Sequence, residues 1–190
     1  QAVEVLEPYV NSGVPVIALE PSCLATLRSD VIELSDKQQA QTVADGVLTF
    51  AELVTGLVDE GRVQLPDLNG LDVVAQPHCH HSSILGWQAD RALLEMAGAE
   101  VTEVAGCCGL AGNFGVEKGH YETSVAVAET YLLPAIREQD QRREVGLAKH
   151  TVVLADGMSC RIQLDDLADV SAVHLAELFA TYDRAEKERT

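Results

Sequence analysis

An α/β fold built on parallel sheets is predicted by two features of this sequence. Short β-branched runs alternate with stretches of helical apolar spacing along the whole chain. One unit also occurs twice: "PVIALEPSCLATL" (15–27) and "TVVLADGMSCRIQL" (151–164) each join an aliphatic strand, a Pro or Gly break, a Ser-Cys pair and a helix. Two copies of one supersecondary unit predict two pseudo-symmetric lobes.

The elements follow in order. "VPVIALE" (14–20) is β-branched and stops at Pro21, hence a strand. Residues 23–33 and 38–59 carry helical spacing, the second through Val43, Val47, Phe50, Ala51, Val54 and Leu57. The turn "PDLNG" leads into a second strand, "LDVVAQPH" (71–78). "SILGWQADRALLEMAG" (83–98) is amphipathic and closes on Gly98, and "EVTEVAG" (100–106) is a third strand. A long helix is expected over 116–138, ended or kinked at Pro134, followed by a charged, exposed connection over 137–149. "HTVVLADG" (150–157) is a fourth strand and 171–185 a final helix.

The chain has 190 residues, enough for one large domain or two small lobes. Only 4% of its residues are aromatic, so aliphatic side chains must supply the core. Thirty acidic residues face thirteen basic ones, for a net charge of −17. That argues against nucleic acid or an anionic membrane as a direct ligand. Asp45, Glu52 and Asp59 interrupt the most apolar stretch, and no run is long enough to span a bilayer. There is no signal-peptide pattern; the chain begins at Gln1 and reads as part of a longer polypeptide. A cytoplasmic location is expected, or one peripheral to the inner face of a membrane.

The five cysteines, Cys23, Cys79, Cys107, Cys108 and Cys160, all fall just beyond the carboxyl ends of predicted strands. In open α/β sheets that is where ligands bind. Neighbouring cysteines such as Cys107 and Cys108 close a disulfide only through a strained ring, so a staple is a poor reason for the pair. Gly106 and Gly109 flank them and suggest a backbone bent tightly around something both sulfurs face. Soft thiolates suit zinc, copper(I) or an iron–sulfur cluster. Five exceed the tetrahedral demand of zinc and fit a multi-iron cluster better, while a catalytic disulfide stays open as an alternative. His78, His80 and His81 crowd Cys79, and His80 or His81 is expected to donate a hydrogen bond that tunes a thiolate. His174 is assigned to packing on an apolar helix face. "GLAGNFGVEKGHYE" (109–122) lacks the spacing of a phosphate loop, and its glycines are read as wrapping the cysteine site, with Glu117, Lys118 and His120 capping the next helix or meeting a partner.

These motifs resemble the cysteine-rich CCG domain: "PHCHH", then "GCCGLAGNFGVEKGHYETS", then "GMSCRIQL", with "EPSCL..LR" ahead of them as the end of a preceding repeat. That domain occurs in the cysteine-rich subunit of heterodisulfide reductase and in the iron–sulfur subunit of anaerobic glycerol-3-phosphate dehydrogenase. This chain looks most like the C-terminal portion of FAD-linked oxidases acting on D-lactate, glycolate and related 2-hydroxy acids. The resemblance implies residues 1–60 as the end of a first CCG repeat and 61–190 as a second. It implies an iron–sulfur electron-transfer module, with FAD bound elsewhere in the full protein, no catalytic residue in this segment, and Gly106, Gly109, His80 and His81 around the cluster. Its partners would be the FAD-binding domain or subunit, a ferredoxin-like domain, and quinone or another acceptor. Gly157 stands where the first cysteine of the usual C-x-x-C would be, leaving Cys160, and Cys23 then makes up the ligand count. The alternative is a docking domain of the same complex, holding zinc or no metal.

Overall fold

Three parallel strands, in the order β4-β3-β5, carry the larger sheet: β3 is Asp72–Ala75, β4 Glu100–Glu103 and β5 Thr151–Leu154. Asp72 pairs with Glu100 on one side and with Thr151 on the other, so all three strands end level. The outer edge of β5 is covered at its end by Val173, whose N–H donates to Val153 O at 2.9 Å while its carbonyl accepts from Ala155 N at 3.0 Å. A smaller parallel pair joins β1 (Val16–Ile17) to β2 (Val47–Leu48). The fold, a computed structural model describing residues 1–35, 37–147 and 150–187, is α/β with parallel sheets, as the alternation predicts.

The chain divides into two units. The first comprises Gln1–Gln64 and His80–Ala89, the second Leu65–Cys79 and Asp90–Thr190. In the first, α1 (Ala2–Asn11), α2 (Pro21–Arg28), α3 (Asp30–Leu34) and α4 (Lys37–Gly46) enclose an apolar cluster of Val3, Leu24, Val31, Ala40, Val43 and Val47. The helical stretch expected over 38–59 is broken here. Val47 and Leu48 leave the helix to pair with β1, and α5 (Phe50–Asp59) starts afresh on a capping box, Thr49 Oγ1 accepting from Glu52 N at 3.0 Å and Glu52 Oε2 from Thr49 N at 2.7 Å. Arg28, at the end of α2, donates to Val47 O and pairs with the Glu52 carboxylate, tying α2 to β2 and α5. A π-helical turn, His81–Leu85, packs on α2 and brings Leu85 against the same apolar cluster.

In the second unit, α6 (Gln88–Met96, begun in the first) precedes β4. The expected 116–138 helix is a 3₁₀ turn (Phe114–Val116), α7 (Tyr121–Ala128) and α8 (Leu132–Glu144). Pro134 lies in the first turn of α8, where a missing N–H costs no helical bond, so it helps to start this helix and does not end one. The charged stretch from 137 therefore continues α8 to Glu144, and residues 148 and 149 lie outside the described residues. After β5 come α9 (Met158–Ala168) and α10 (Leu175–Lys187). His174 is buried, but at the start of α10 and not on its apolar face. Its Nδ1 accepts from Ala176 N at 3.0 Å, and its Nε2 lies 3.6 Å from Asp156, which in turn accepts from Leu175 N. No helix among the described residues is long and apolar enough to cross a membrane.

Candidate metal centre

Level parallel strands place their following loops side by side. Cys79 lies four residues beyond β3, Cys107 and Cys108 follow β4, and Cys160 is the third residue of α9, after β5. Their thiols form a hydrogen-bonded row, Cys79 to Cys107, Cys107 to Cys108 and Cys108 to Cys160. Cys79 is exposed, Cys107 half-buried, and Cys108 and Cys160 are buried. The row thus runs from solvent into the apolar cluster of Val74, Val104, Leu110, Leu132 and Leu164, where the last two sulfurs pack.

Electrostatics within the row favour protons in the absence of a cation. The Cys108 hydrogen bond and burial push the Cys107 thiol far above its ordinary range, against the pull of the Gly109 amide and the Cys79 thiol. For Cys108 the strongest influence, the Cys107 hydrogen bond, favours the thiolate. The Cys160 hydrogen bond and burial outweigh it, and the group is pushed up to about 11. Crowded sulfurs cannot ionise together unless positive charge is supplied, and a soft metal supplies it. The donor set therefore fits a thiolate-ligated metal or cluster.

The turn around the pair is fixed by buried polar groups. Gly109 N–H donates to Cys107 Sγ at 3.3 Å, and its carbonyl accepts from Ser124 Oγ at 2.9 Å. Gln163 Nε2 donates to the same Ser124 oxygen at 2.9 Å, linking α9 to α7 beneath the turn. A Cβ at Gly109 would collide with the Ser124 carbonyl oxygen, and φ is +94° there, so both space and backbone demand glycine. At Gly106 a Cβ would meet the Tyr131 ring at 2.7 Å. Phe114 and His120 stack with centroids 4.2 Å apart within the "GNFGVEKGH" segment.

Not every expected residue falls in this unit. Cys23 belongs to the first unit, where it is the exposed third residue of α2, the place Cys160 takes in α9. His80 is exposed and His81 buried; both belong to the first unit, at the start of the π-helical turn. His78 belongs with Cys79 in the second. Sequence reasoning passed over Gln76, Ser124 and Gln163, each at most 3% exposed. The detectable signal was a polar side chain set among apolar neighbours, as Gln76 is at the end of "LDVVAQ".

The chain is similar to one subunit of the anaerobic glycerol-3-phosphate dehydrogenase of Escherichia coli K12 and to its counterpart from Escherichia coli O157:H7. It is 26% identical to each over 171 residues, which make up 88% of this chain and 40% of theirs. It thus spans about two fifths of the length of these curated relatives. No protein-family profile and no solved structure matches it.

Proposed function

We propose that this chain is the iron–sulfur electron-transfer module of a larger FAD-linked oxidoreductase. The observation that carries the proposal is the row of four thiols gathered from beyond the ends of three parallel strands, Cys79, Cys107, Cys108 and Cys160. Similarity to a subunit of a dehydrogenase supports the same reading. When bound, an iron–sulfur cluster takes up and releases single electrons. The protein's part is to ligate through these sulfurs, to bury the Cys108 and Cys160 side away from water, and to leave Cys79 at the surface that would face an electron partner. The turn glycines Gly106 and Gly109 let the backbone close around the pair. Cys23, His80 and His81 stay candidates on sequence grounds. Cys23→Ser with iron content unchanged would remove Cys23 from the ligand set.

The flavin, the ferredoxin-like clusters and the acceptor, a quinone or another carrier, would belong to other domains or subunits on the cytoplasmic side. The resemblance of the CCG segment to that of FAD-linked 2-hydroxy acid oxidases favours a 2-hydroxy acid as the substrate oxidised at the flavin; flavin reduction by D-lactate, glycolate and glycerol 3-phosphate compares the options. A second reading has one observation in its favour: four thiols in the second unit also match the coordination number of zinc, and would then pin a docking domain.

Metal analysis of anaerobically purified protein separates the two. Iron with acid-labile sulfide and a visible-range absorption band is expected, and Cys108→Ser should abolish both, because a hydroxyl is a poorer ligand for iron than a thiolate. In the complete enzyme the same substitution should spare single-turnover flavin reduction and sharply lower steady-state reduction of the acceptor. Colourless protein with one equivalent of zinc would replace the electron-transfer reading with the docking one.

A further inference from the structure

We infer that Gln76 and His78 are positioning residues: the Gln76-Pro77-His78 segment is a bracket that sets Cys79 against both other cysteine-bearing loops before any metal arrives. The inference rests on reading Cys79, Cys107, Cys108 and Cys160 as ligands. Gln76 is 1% exposed, and its Nε2 donates to Pro77 O at 3.2 Å and to Gly106 O at 3.0 Å. It therefore grips the residue immediately before Cys107. His78 is 7% exposed and reaches the other way, to Gly157. A Cβ at Gly157 would overlap His78 Cδ2 and lie 2.9 Å from Cγ and 3.1 Å from Cβ. Gly157 has φ −77° and ψ 130°, which any residue adopts, so the imidazole and not the backbone demands glycine there. Gly157 is also the N-cap of α9, three residues before Cys160.

One arm of the bracket thus holds the CCG turn and the other seats the start of the Cys160 helix, with Cys79 next in the chain. Four sulfurs, three of them on the segments after β3 and β4 and one at the start of α9, lose much conformational freedom when a metal gathers them. A bracket completed during folding places that cost in the folding step, so that metal meets a preorganised site.

The test uses the full chain, metal-free and reduced, with two readouts: capture of phenylarsine oxide, which requires two adjacent thiols, and affinity for cobalt(II). Gly157→Ala drives a methyl group into the His78 ring and should weaken both by on the order of tenfold, the usual effect of disturbing groups behind a metal site. Adding His78→Ala in the same chain should bring both back to the level of His78→Ala alone. Gln76→Met keeps the volume but removes the donor, and should lower arsenical capture with an unchanged far-ultraviolet spectrum. This variant carries the test if Gly157→Ala does not fold. Wild-type values for Gly157→Ala, a double variant that stays below His78→Ala alone, or unchanged capture by Gln76→Met would each overturn the inference. A wild type that captures arsenical as expected, with the variants responding, but binds no metal would sink the ligand reading and leave the bracket standing.

Discussion

Gly109 shows how closely a single residue is specified near the sulfurs. Its missing side chain makes room for a neighbouring carbonyl, and a backbone atom held in α7 cannot swing aside as a side chain would. Gly109→Ala should therefore combine left-handed strain with overpacking and cost roughly 2–4 kcal/mol, read as a fall in the denaturant midpoint. Gly112 is the control. Its φ is +73° but open space surrounds it, so Gly112→Ala should cost only about 1 kcal/mol of backbone strain. Equal losses at the two positions would mean that the Ser124 contact adds nothing. The sequence already marked Gly106 and Gly109 as turn residues around the thiol pair. It could not reveal that Ser124, fifteen positions on, supplies the wall, because that contact depends on how α7 docks.

Among the elements, the connection from α4 through β2 to α5 departs most from the sequence reading. Val47 and Leu48 fit a 3.6-residue period, and a two-residue strand is too short to impose a period of its own. The Thr49-x-x-Glu52 pattern was the legible sign of a new helix start, and its apolar surroundings masked it. Thr49→Ala should cost about 1 kcal/mol through loss of the cap. Glu52 also makes this junction sensitive to acid. Burial pushes its carboxyl up, but the Arg28 hydrogen bond and pairing, with the Thr49 bonds, together outweigh burial and hold it below the usual carboxylate range. A carboxylate with a lowered folded-state pKa contributes stability that is full above its ordinary pKa and is lost as pH falls through the lowered one. Acid titration of stability should show that loss in the wild type, while Glu52→Gln should be less stable at neutral pH and flatter on the acid side. An acid limb unchanged by Glu52→Gln would show that Arg28 gains nothing from the charge.

For the molecule as a whole, alternation of strand and helix was enough to read the α/β class, and strand-end placement put Cys79, Cys107, Cys108 and Cys160 just beyond β3, β4 and β5, while Cys23, expected with them, belongs to the first unit. Both follow from rules that hold wherever parallel strands run level. The path of the chain between its units was not legible, since apolar periodicity reports which face is buried and not which core receives it. The chain leaves the first unit after Gln64, returns at His80 and leaves again after Ala89. This path bears on how the polypeptide can be cut. A fragment beginning at Leu65 contains every residue of the second unit, yet it also carries a ten-residue passenger, His80–Ala89, whose partners have been left behind. Leu85 loses the cluster of Val3, Leu24 and Val31, and the π-helical turn loses α2. Such a fragment should bind a hydrophobic dye and self-associate on a sizing column, and exchanging Leu85 for a polar residue should reduce both. The cysteine row is therefore best isolated together with residues 1–64, since the peptide bond after Cys79 leads straight into their share of the fold.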